Sequence, residues 1–216
     1  MYMPFTKAQS ETIKWLAILF MVIDHIGLIF FPEDLTWRFV GRLAFPLFAF
    51  QLAIGFSYTR SHGIQLRNLL VFGFLSQLPY MWAIQPEVWT LNIFFTLTMS
   101  YLLLMSWSKK CVSGFLLLLL VSCFIPVDYG IYGVLLPLVF YVFRQRLPLQ
   151  LIAFVLLTGL YSYVYSPFQL LSIFAFLLLL GVRHVKKVPF SSSKWFFYWF
   201  YPGHLLTLAI VALVLR

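Results

Sequence analysis

Charge is what this sequence has least of. Asp, Glu, Lys and Arg make up 10% of its 216 residues, and the acidic residues number six. Soluble domains carry about 25% charged residues, and a chain this short has too little interior to hide a composition that is 62% hydrophobic. The composition therefore excludes a soluble globular enzyme and places the function of the protein in or against a lipid bilayer.

Cysteine is also scarce, with Cys111 and Cys123 the two in the chain. They flank the apolar run Val112–Ser122, which would place them at opposite faces of a membrane, so we predict that they form no disulfide. The sequence contains no metal-ligand spacing, glycine-rich phosphate loop or nucleotide-binding loop. It therefore predicts neither a disulfide nor a metal site.

Apolar runs fill most of the chain. A spanning helix needs about 20 residues, and breaks at charged residues, Pro and Gly divide the sequence into nine runs. The predicted spans are Ile13–Phe31, Val40–Ser57, Leu66–Ile84, Leu91–Trp107, Val112–Ile125, Ile131–Phe143, Leu149–Tyr165, Phe168–Val182 and Trp195–Leu215. Because no repeat or low-complexity tract interrupts them, we predict a single domain over 1–216, an all-α, polytopic transmembrane helix bundle.

The basic residues fall on one side of this arrangement. Twelve of the 15 lie at the amino-terminal end or in alternate loops and the span ends beside them: Lys7, Lys14, Arg60, Arg67, Lys109, Lys110, Arg144, Arg146, Arg183, Lys186, Lys187 and Lys194. The opposite loops hold Glu33, Asp34, Glu87 and Asp128, with Arg38 and the terminal Arg216. Since cytoplasmic loops carry the excess of Lys and Arg, we predict a cytoplasmic amino terminus and an external carboxyl terminus. The net charge of +9 then reflects topology and not a nucleic-acid partner.

Four ionisable residues within the predicted spans are candidates for a site: Asp24, His25, Arg42 and His204. A charged side chain there costs roughly 2.5–3.5 kcal/mol on insertion scales and usually faces a cavity or a partner. At ~1.5 Å per residue, His25 lies ~9 Å and Arg42 ~3 Å below the outer ends of their helices. His204 lies ~14 Å above the inner face by the same rise. These depths allow Asp24, His25 and Arg42 to share one cavity, which His204 joins if the last helix packs nearby.

Asp24 and His25 are adjacent, so their side chains point about 100° apart on a helix and form no direct dyad. We expect Asp24 to neutralise Arg42 or to orient His204, which leaves His25 to face a substrate. The alternatives are structural: an Asp24–Arg42 pair that only holds helices together, histidines satisfied in the core, or an Arg42 that snorkels to lipid headgroups.

Five segments match a known family. They are Asp24-His25, Gly41–Phe50 (GRLAFPLFAF), Leu91–Phe95 (LNIFF), Asp128–Gly133 (DYGIYG) and Tyr198–Leu206 (YWFYPGHLL). In these segments the chain resembles the TraX family of conjugative pilin acetylases and fimbrial-assembly-like relatives, over about Thr12 to Ala209. The resemblance implies a multi-pass acetyltransferase of the bacterial inner membrane. It would move an acetyl group from cytoplasmic acetyl-CoA to the amino terminus of a pilin or peptide, to another amine, or to a hydroxyl.

The family motifs assign candidate roles. His25 would act as general base or transient acyl carrier, because the imidazole pKa of ~6.5 suits that task near neutral pH. Arg42 or Asn92 would stabilise the developing oxyanion. Asp24 and His204 complete the predicted catalytic group with His25 and Arg42. Asp128 and Tyr129 would join Asn92 in supporting the substrate and the oxyanion. Basic residues of the cytoplasmic loops would hold the phosphates of CoA: Arg60, Arg67, Lys109 and Lys110.

Two other functions fit the same residues. A proton-coupled transporter or exporter would use the Asp24, His25 and Arg42 cluster as a relay or gate, although the paired halves typical of transporters do not appear in the sequence. The second of these functions is that of a non-catalytic membrane protein that takes part in fimbrial or pilus assembly. In each case the expected partners are membrane lipids, joined in the enzyme by an acyl acceptor, and no nucleic acid.

Overall fold

A computed structural model describes residues 5–188 and 193–215, apart from the side chain of Lys194, so the charge-based predictions for Lys194 and Arg216 lie outside it. Across those two ranges the chain forms ten α-helices, one 3₁₀-helix and no strand beyond an isolated bridge. The helices are α1 (Lys7–Phe30), α2 (Leu35–Gly41), α3 (Ala44–Tyr58), α4 (His62–Ile84), α5 (Ile93–Ser108), α6 (Val112–Phe124), α7 (Gly130–Val142), α8 (Leu147–Val164), the 3₁₀-helix η1 (Pro167–Phe174), α9 (Ala175–Val182) and α10 (Lys194–Val214). The predicted all-α class is confirmed.

Several of these helices suit a lipid bilayer. Four helical stretches are long and apolar enough to cross a membrane: Lys7–Phe30, Leu35–Tyr58, Leu147–Val164 and Trp195–Val214. Shorter apolar helices cover Ile93–Ser108, Val112–Phe124, Gly130–Val142 and Pro167–Val182. Each of the nine predicted spans coincides with one helix or with two consecutive ones. The chain is therefore an all-helical membrane protein.

The second predicted span, Val40–Ser57, falls within the apolar stretch Leu35–Tyr58, which is long enough to cross a membrane, but this stretch is not one continuous helix. The chain forms α2 and α3 instead, and they meet at a turn at Arg42 and Leu43. Pro46 lies in the first turn of α3, where its missing N–H is tolerated. At the other end, the Asp34 side chain caps α2 by accepting from the Thr36 N–H at 3.0 Å. As a result Arg38, which the sequence placed in a loop, lies inside a helix.

The eighth predicted span, Phe168–Val182, is also not uniform. Its first half is η1 and its second half is α9. A 3₁₀ run of eight residues is long, since such runs usually stop after 3–4 residues. Gln169 and Ser172 on η1 are fully buried, so this irregular turn carries polar side chains into the interior.

Glycines mark close approaches between helices, and Gly41 and Gly133 are two of them. A Cβ at Gly41, the last residue of α2, would collide with the carboxyl group of Asp24 on α1. A Cβ at Gly133 on α7 would lie 2.6 Å from the Thr96 methyl group on α5. Small residues let helix backbones approach closely in membrane proteins. These contacts pack α2 closely against α1 and α7 closely against α5.

Candidate functional site

A cavity of about 440 Å³ lies between α1, α3, α4, α5 and α10, and α2 and the loop before α7 also contribute lining residues. Its lining on α1 begins at Lys14 and ends at Leu28, which are ~21 Å apart along the helix axis. The polar cluster, defined here as Asp24, His25, Arg38, Arg42 and Asp128, lines one end of the cavity. Lys14 and Gln65 line the other end, termed the Lys14 end. The cavity thus joins two chemically different regions through an aromatic middle.

Asp24 is the centre of the polar cluster. Its carboxylate is nearly buried and accepts a hydrogen bond from Arg38 Nη1 at 3.4 Å. Arg42 Nη2 lies 4.0 Å from Asp24 Oδ1, so the ion pair expected between Asp24 and Arg42 is present. Arg38, whose guanidinium is the second partner of Asp24, is the residue that sequence reasoning missed. The signal was its spacing, because Arg38 and Arg42 are four residues apart and share a helix face once the helix begins at Leu35.

Arg42 has hydrogen-bonding capacity to spare. Its Nη1 donates to Gln169 Oε1 at 3.4 Å, and its guanidinium lies 5.9 Å from the centre of the Tyr129 ring. Within the described part of the chain its buried Nε has no hydrogen-bond partner. A buried donor without a partner costs about 1–3 kcal/mol. Because Arg42 also lines the cavity, its guanidinium is well placed for an oxygen atom of a bound molecule.

His25 and His204 meet across the bundle although 179 residues separate them in the chain. His25 Nδ1 lies 2.7 Å from His204 Nε2, and the two ring planes are within 13° of each other. His204 Nδ1 lies 2.9 Å from the carbonyl oxygen of Phe200, one turn earlier on α10. Of the two roles expected for Asp24, pairing with Arg42 is therefore the one observed, since the ring nitrogens of His204 contact His25 and Phe200.

Asp128 and Tyr129 reach the cavity on a short loop. Leu91 N donates to Pro126 O at 2.8 Å and Asp128 N donates to Leu91 O at 2.9 Å, which joins the loop before α5 to the loop before α7. Tyr129 adopts a left-handed conformation at φ 61° and stacks on Phe45, with ring centres 4.2 Å apart. Burial raises the pKa of the loop residue Asp128 to about 6, against the opposing effect of the Arg42 guanidinium.

Asn92 lies close to the site but has its side chain fully engaged. Its Oδ1 caps α5 by accepting from the Phe94 N–H at 3.0 Å. Its Nδ2 donates to Gly73 O at 2.7 Å and to Gln77 Oε1 at 2.8 Å. Asn92 is completely buried and is not among the cavity-lining residues. The arrangement gives Asn92 a structural role at the start of α5.

The Lys14 end is polar but sparsely charged. Lys14 Nζ donates to Glu11 Oε1 at 2.9 Å and lies 4.9 Å from the centre of the Phe197 ring. Gln51 Nε2 donates to Ser10 Oγ at 2.6 Å, while its buried Oε1 has no partner among the described residues. Sequence reasoning treated Lys14 as a topology charge only. The predicted CoA-binding residues lie elsewhere: Arg60, Arg67, Lys109 and Lys110 are exposed and are not among the lining residues.

Comparison with known proteins gives one family. The family model described as TraX protein matches residues 9–212. The chain is 34% identical over 162 residues to the probable fimbrial assembly protein FimC, serogroup H1, of Dichelobacter nodosus, covering 67% of this chain and 66% of that protein. It is 32% identical over 149 residues to protein TraX of Escherichia coli, covering 65% of this chain and 58% of that protein. The chain thus spans about two thirds of these relatives or less, and no solved structure matches it.

Proposed function

We propose, from the premise that this chain belongs to the TraX family, that it is an integral-membrane acetyltransferase. It would move an acetyl group from acetyl-CoA to an amine, such as the amino terminus of a pilin or peptide, or to a hydroxyl. The observation that carries the proposal is the cavity, which connects Lys14 to a histidine with a carboxylate and two guanidiniums beside it. Such a space admits an elongated donor at one end and an acceptor at the other.

The Lys14 end suits the donor. Acetyl-CoA is a polyanion that carries its thioester on a long arm with two amide groups. The Lys14 ammonium is a suitable phosphate partner, and the unpartnered Gln51 Oε1 can accept from an amide N–H of the arm. Arg60, Arg67, Lys109 and Lys110 remain candidates for the nucleotide portion outside the cavity. The thioester would then lie beside the polar cluster.

The polar cluster suits the transfer step. His25 takes the proton of the acceptor N–H or O–H as that atom attacks the thioester carbonyl. Arg42, with donors left unused, stabilises the negative charge that develops on the carbonyl oxygen. When the carbon–sulfur bond breaks, His25 returns the proton to the leaving CoA thiolate. If transfer crosses the membrane in two steps, His25 instead carries the acetyl group transiently.

The activity is tested with purified protein, isotope-labelled acetyl-CoA and a panel of amine and hydroxyl acceptors. We expect stoichiometric release of CoA and labelling of an acceptor, with His25→Gln reducing turnover about 10²- to 10⁴-fold. His184→Gln is the matched control, because His184 is exposed on the loop after α9. A folded His25→Gln protein with full turnover would disprove the role of His25, and absence of any CoA release would disprove the acetyltransferase.

A non-catalytic role in fimbrial assembly is the second candidate. The observation that favours it is the name of the Dichelobacter nodosus relative, a probable fimbrial assembly protein. If the role is non-catalytic, the His25→Gln protein should still support surface-appendage formation in a complementation assay. If the protein acts as an acetyltransferase, the same variant should fail in that assay. Proton-driven substrate flux in liposomes without CoA release would instead indicate a transporter.

The topology is part of the proposal: nine spans in the bacterial inner membrane, with a cytoplasmic amino terminus. Cys111 and Cys123 are free and exposed at opposite ends of α6, which makes them native reporters. A hydrogen bond from the Gly114 backbone lowers the pKa of Cys111, which favours its reaction with maleimide. In the single-cysteine proteins left by Cys111→Ser and Cys123→Ser, we expect impermeant maleimide to label Cys123 from outside and Cys111 after permeabilisation. Labelling of both from the same side would overturn the topology.

A further inference from the structure

The contact between the two histidines assigns a role to His204 that rests on the acetyltransferase proposed above. We propose that His204 is a positioning residue, which holds His25 in the tautomer whose Nε2 is unprotonated and available to the acceptor. Each ring nitrogen of His204 makes one contact, to Phe200 or to His25, and each contact requires one donor and one acceptor.

The first contact fixes the proton on His204. Its Nδ1 lies 2.9 Å from the carbonyl oxygen of Phe200, and a carbonyl oxygen can only accept a hydrogen bond. His204 Nδ1 must therefore carry the hydrogen and donate. In a neutral imidazole the other nitrogen, Nε2, is then a lone-pair acceptor. The neutral form is the inexpensive one in an apolar interior, since an isolated buried charge is costly.

The second contact passes this restriction to His25. His25 Nδ1 lies 2.7 Å from His204 Nε2, so His25 Nδ1 must be the donor. The two ring planes lie within 13° of each other, and 2.7 Å is shorter than a face-to-face contact between rings, which begins near 3.5 Å. The rings therefore meet edge to edge, with the N–H of one along the lone pair of the other. His25 Nε2 is left unprotonated in a side chain that lines the cavity.

In a Ser-His-Asp triad, a buried carboxylate fixes the tautomer of the catalytic histidine. Here the neutral ring of His204 fixes the tautomer of His25 in the same way. Asp24 is adjacent in sequence but pairs with Arg38 and Arg42. The proton taken from the acceptor goes to His25 Nε2, and the positive charge that forms is stabilised because His25 Nδ1–H already donates to His204. Return of that proton to the CoA thiolate restores the starting state.

Two substitutions separate positioning from simple packing. His204→Leu fills a similar space but removes the acceptor, and we expect kcat to fall about 10- to 1000-fold with the KM for acetyl-CoA unchanged. His204→Gln presents an amide oxygen that can accept from His25 Nδ1–H, so it should recover at least tenfold over His204→Leu, by the size of one such hydrogen bond. His184→Leu is the matched control. Equal turnover in folded His204→Leu and wild-type protein would overturn the proposal, as would a His204→Gln protein no better than His204→Leu.

The tautomer can be read without any turnover. In protein labelled with ¹⁵N-histidine and reconstituted in bilayers, solid-state NMR distinguishes protonated from unprotonated ring nitrogens, and the His25→Gln spectrum assigns the His25 signals. We expect His25 to be protonated at Nδ1 in the wild type and to change tautomer in His204→Leu. A His25 protonated at Nε2 in the wild type would refute the positioning role. A fixed Nδ1–H tautomer in a protein that releases no CoA would refute the acetyltransferase alone.

Discussion

The helices α3 and α6 have similar lengths and similarly apolar sequences, but they lie in different environments. α3 buries ten of its 15 residues, and α6 buries Ser122 out of 13. Leu116, Leu117 and Leu120 of α6 are each more than half exposed, whereas Leu47 of α3 is fully buried. In a bilayer, lipid tails solvate an apolar side chain as well as a protein interior does. Apolar composition therefore places a helix in the membrane without deciding whether it forms the core.

Small and polar residues account for the difference. α3 carries Ala44, Ala49 and Ala53, all buried, which allow close helix contacts. It also carries Gln51 into the cavity, and polar groups in a membrane interior need partners inside the protein. α6 has a run of five leucines at its middle, and its small residues Ser113, Gly114, Ser122 and Cys123 lie near its two ends. The cavity lies where polar and small residues collect.

The largest expected effect concerns a basic residue of the cavity and one of the surface. Arg42→Gln removes the guanidinium beside Asp24, and we expect turnover to fall about 10²- to 10³-fold, as for loss of an oxyanion donor. Arg146→Gln, an exposed position at the start of α8, should leave turnover within a factor of two. CoA-release assays on both proteins make the comparison. Equal losses of turnover in the two variants would show that Arg42 contributes only to the net charge of the chain and has no specific role in the cavity.

The next largest effect compares buried and exposed leucines. Leu47→Ala leaves a space in the core of α3 and should lower the free energy of unfolding by about 2–5 kcal/mol. Leu117→Ala on α6 replaces an exposed side chain, so the free energy of unfolding should change by less than about 0.5 kcal/mol. Unfolding of detergent-solubilised protein by heat or denaturant measures both. A large loss at Leu117 would mean that α6 packs against a second protein.

A smaller effect is expected at the helix contacts. Gly41→Ala places a methyl group against Asp24, and overpacking of this kind costs about 1–3 kcal/mol. Gly159→Ala on α8 is the matched change, because a Cβ there meets no atom within 4 Å. It should be neutral or slightly stabilising, since Ala favours a helix over Gly. Similar melting temperatures for both variants would contradict the close approach of α1 and α2.

The smallest effect distinguishes the two proposed locations for the CoA phosphates. Lys14→Gln should raise the KM for acetyl-CoA about fivefold with kcat unchanged, the size expected for one partly exposed charge pair. Lys109→Gln tests the competing surface site by the same assay. A larger rise at Lys109 than at Lys14 would place the phosphates on the cytoplasmic loops.

Much of the fold followed from sequence patterns. The apolar runs located most helices, although α1 begins six residues before its predicted span and α2 was not predicted as a separate helix. The chain departs most from the prediction at the turn of Arg42 and Leu43. That break was hidden because Val40–Ser57 is apolar on both sides of Arg42. Starting the span at Val40 also excluded Arg38 from the membrane, and this one boundary concealed the second partner of Asp24.

The candidate site followed from sequence in its residue types but not in its pairs. Helix depth placed Asp24, His25 and Arg42 in reach of one cavity, which all three line, and adjacency excluded a dyad of Asp24 with His25. His204, expected to join if the last helix packs nearby, contacts His25 but is not among the lining residues. Helix depth could not show that His204 contacts His25. Two residues at suitable depths face each other only if both helices are rotated about their axes in the right way, and the sequence does not give that rotation. The sequence also gave no reason to prefer Arg42 over Asn92 as a candidate hydrogen-bond donor. In the described part of the chain, Asn92 is engaged in capping α5, whereas the buried Nε of Arg42 has no partner.

Composition by itself determined that this chain folds as apolar helices in a membrane, because a backbone in lipid must satisfy its own hydrogen bonds. The few polar residues within those helices marked where chemistry can occur, because each is expensive there. Only the tertiary structure decided which of them meet. Lipid satisfies every apolar helix face nearly equally, so close packing at small residues such as Gly41 and hydrogen bonds such as that from His25 to His204 select one arrangement.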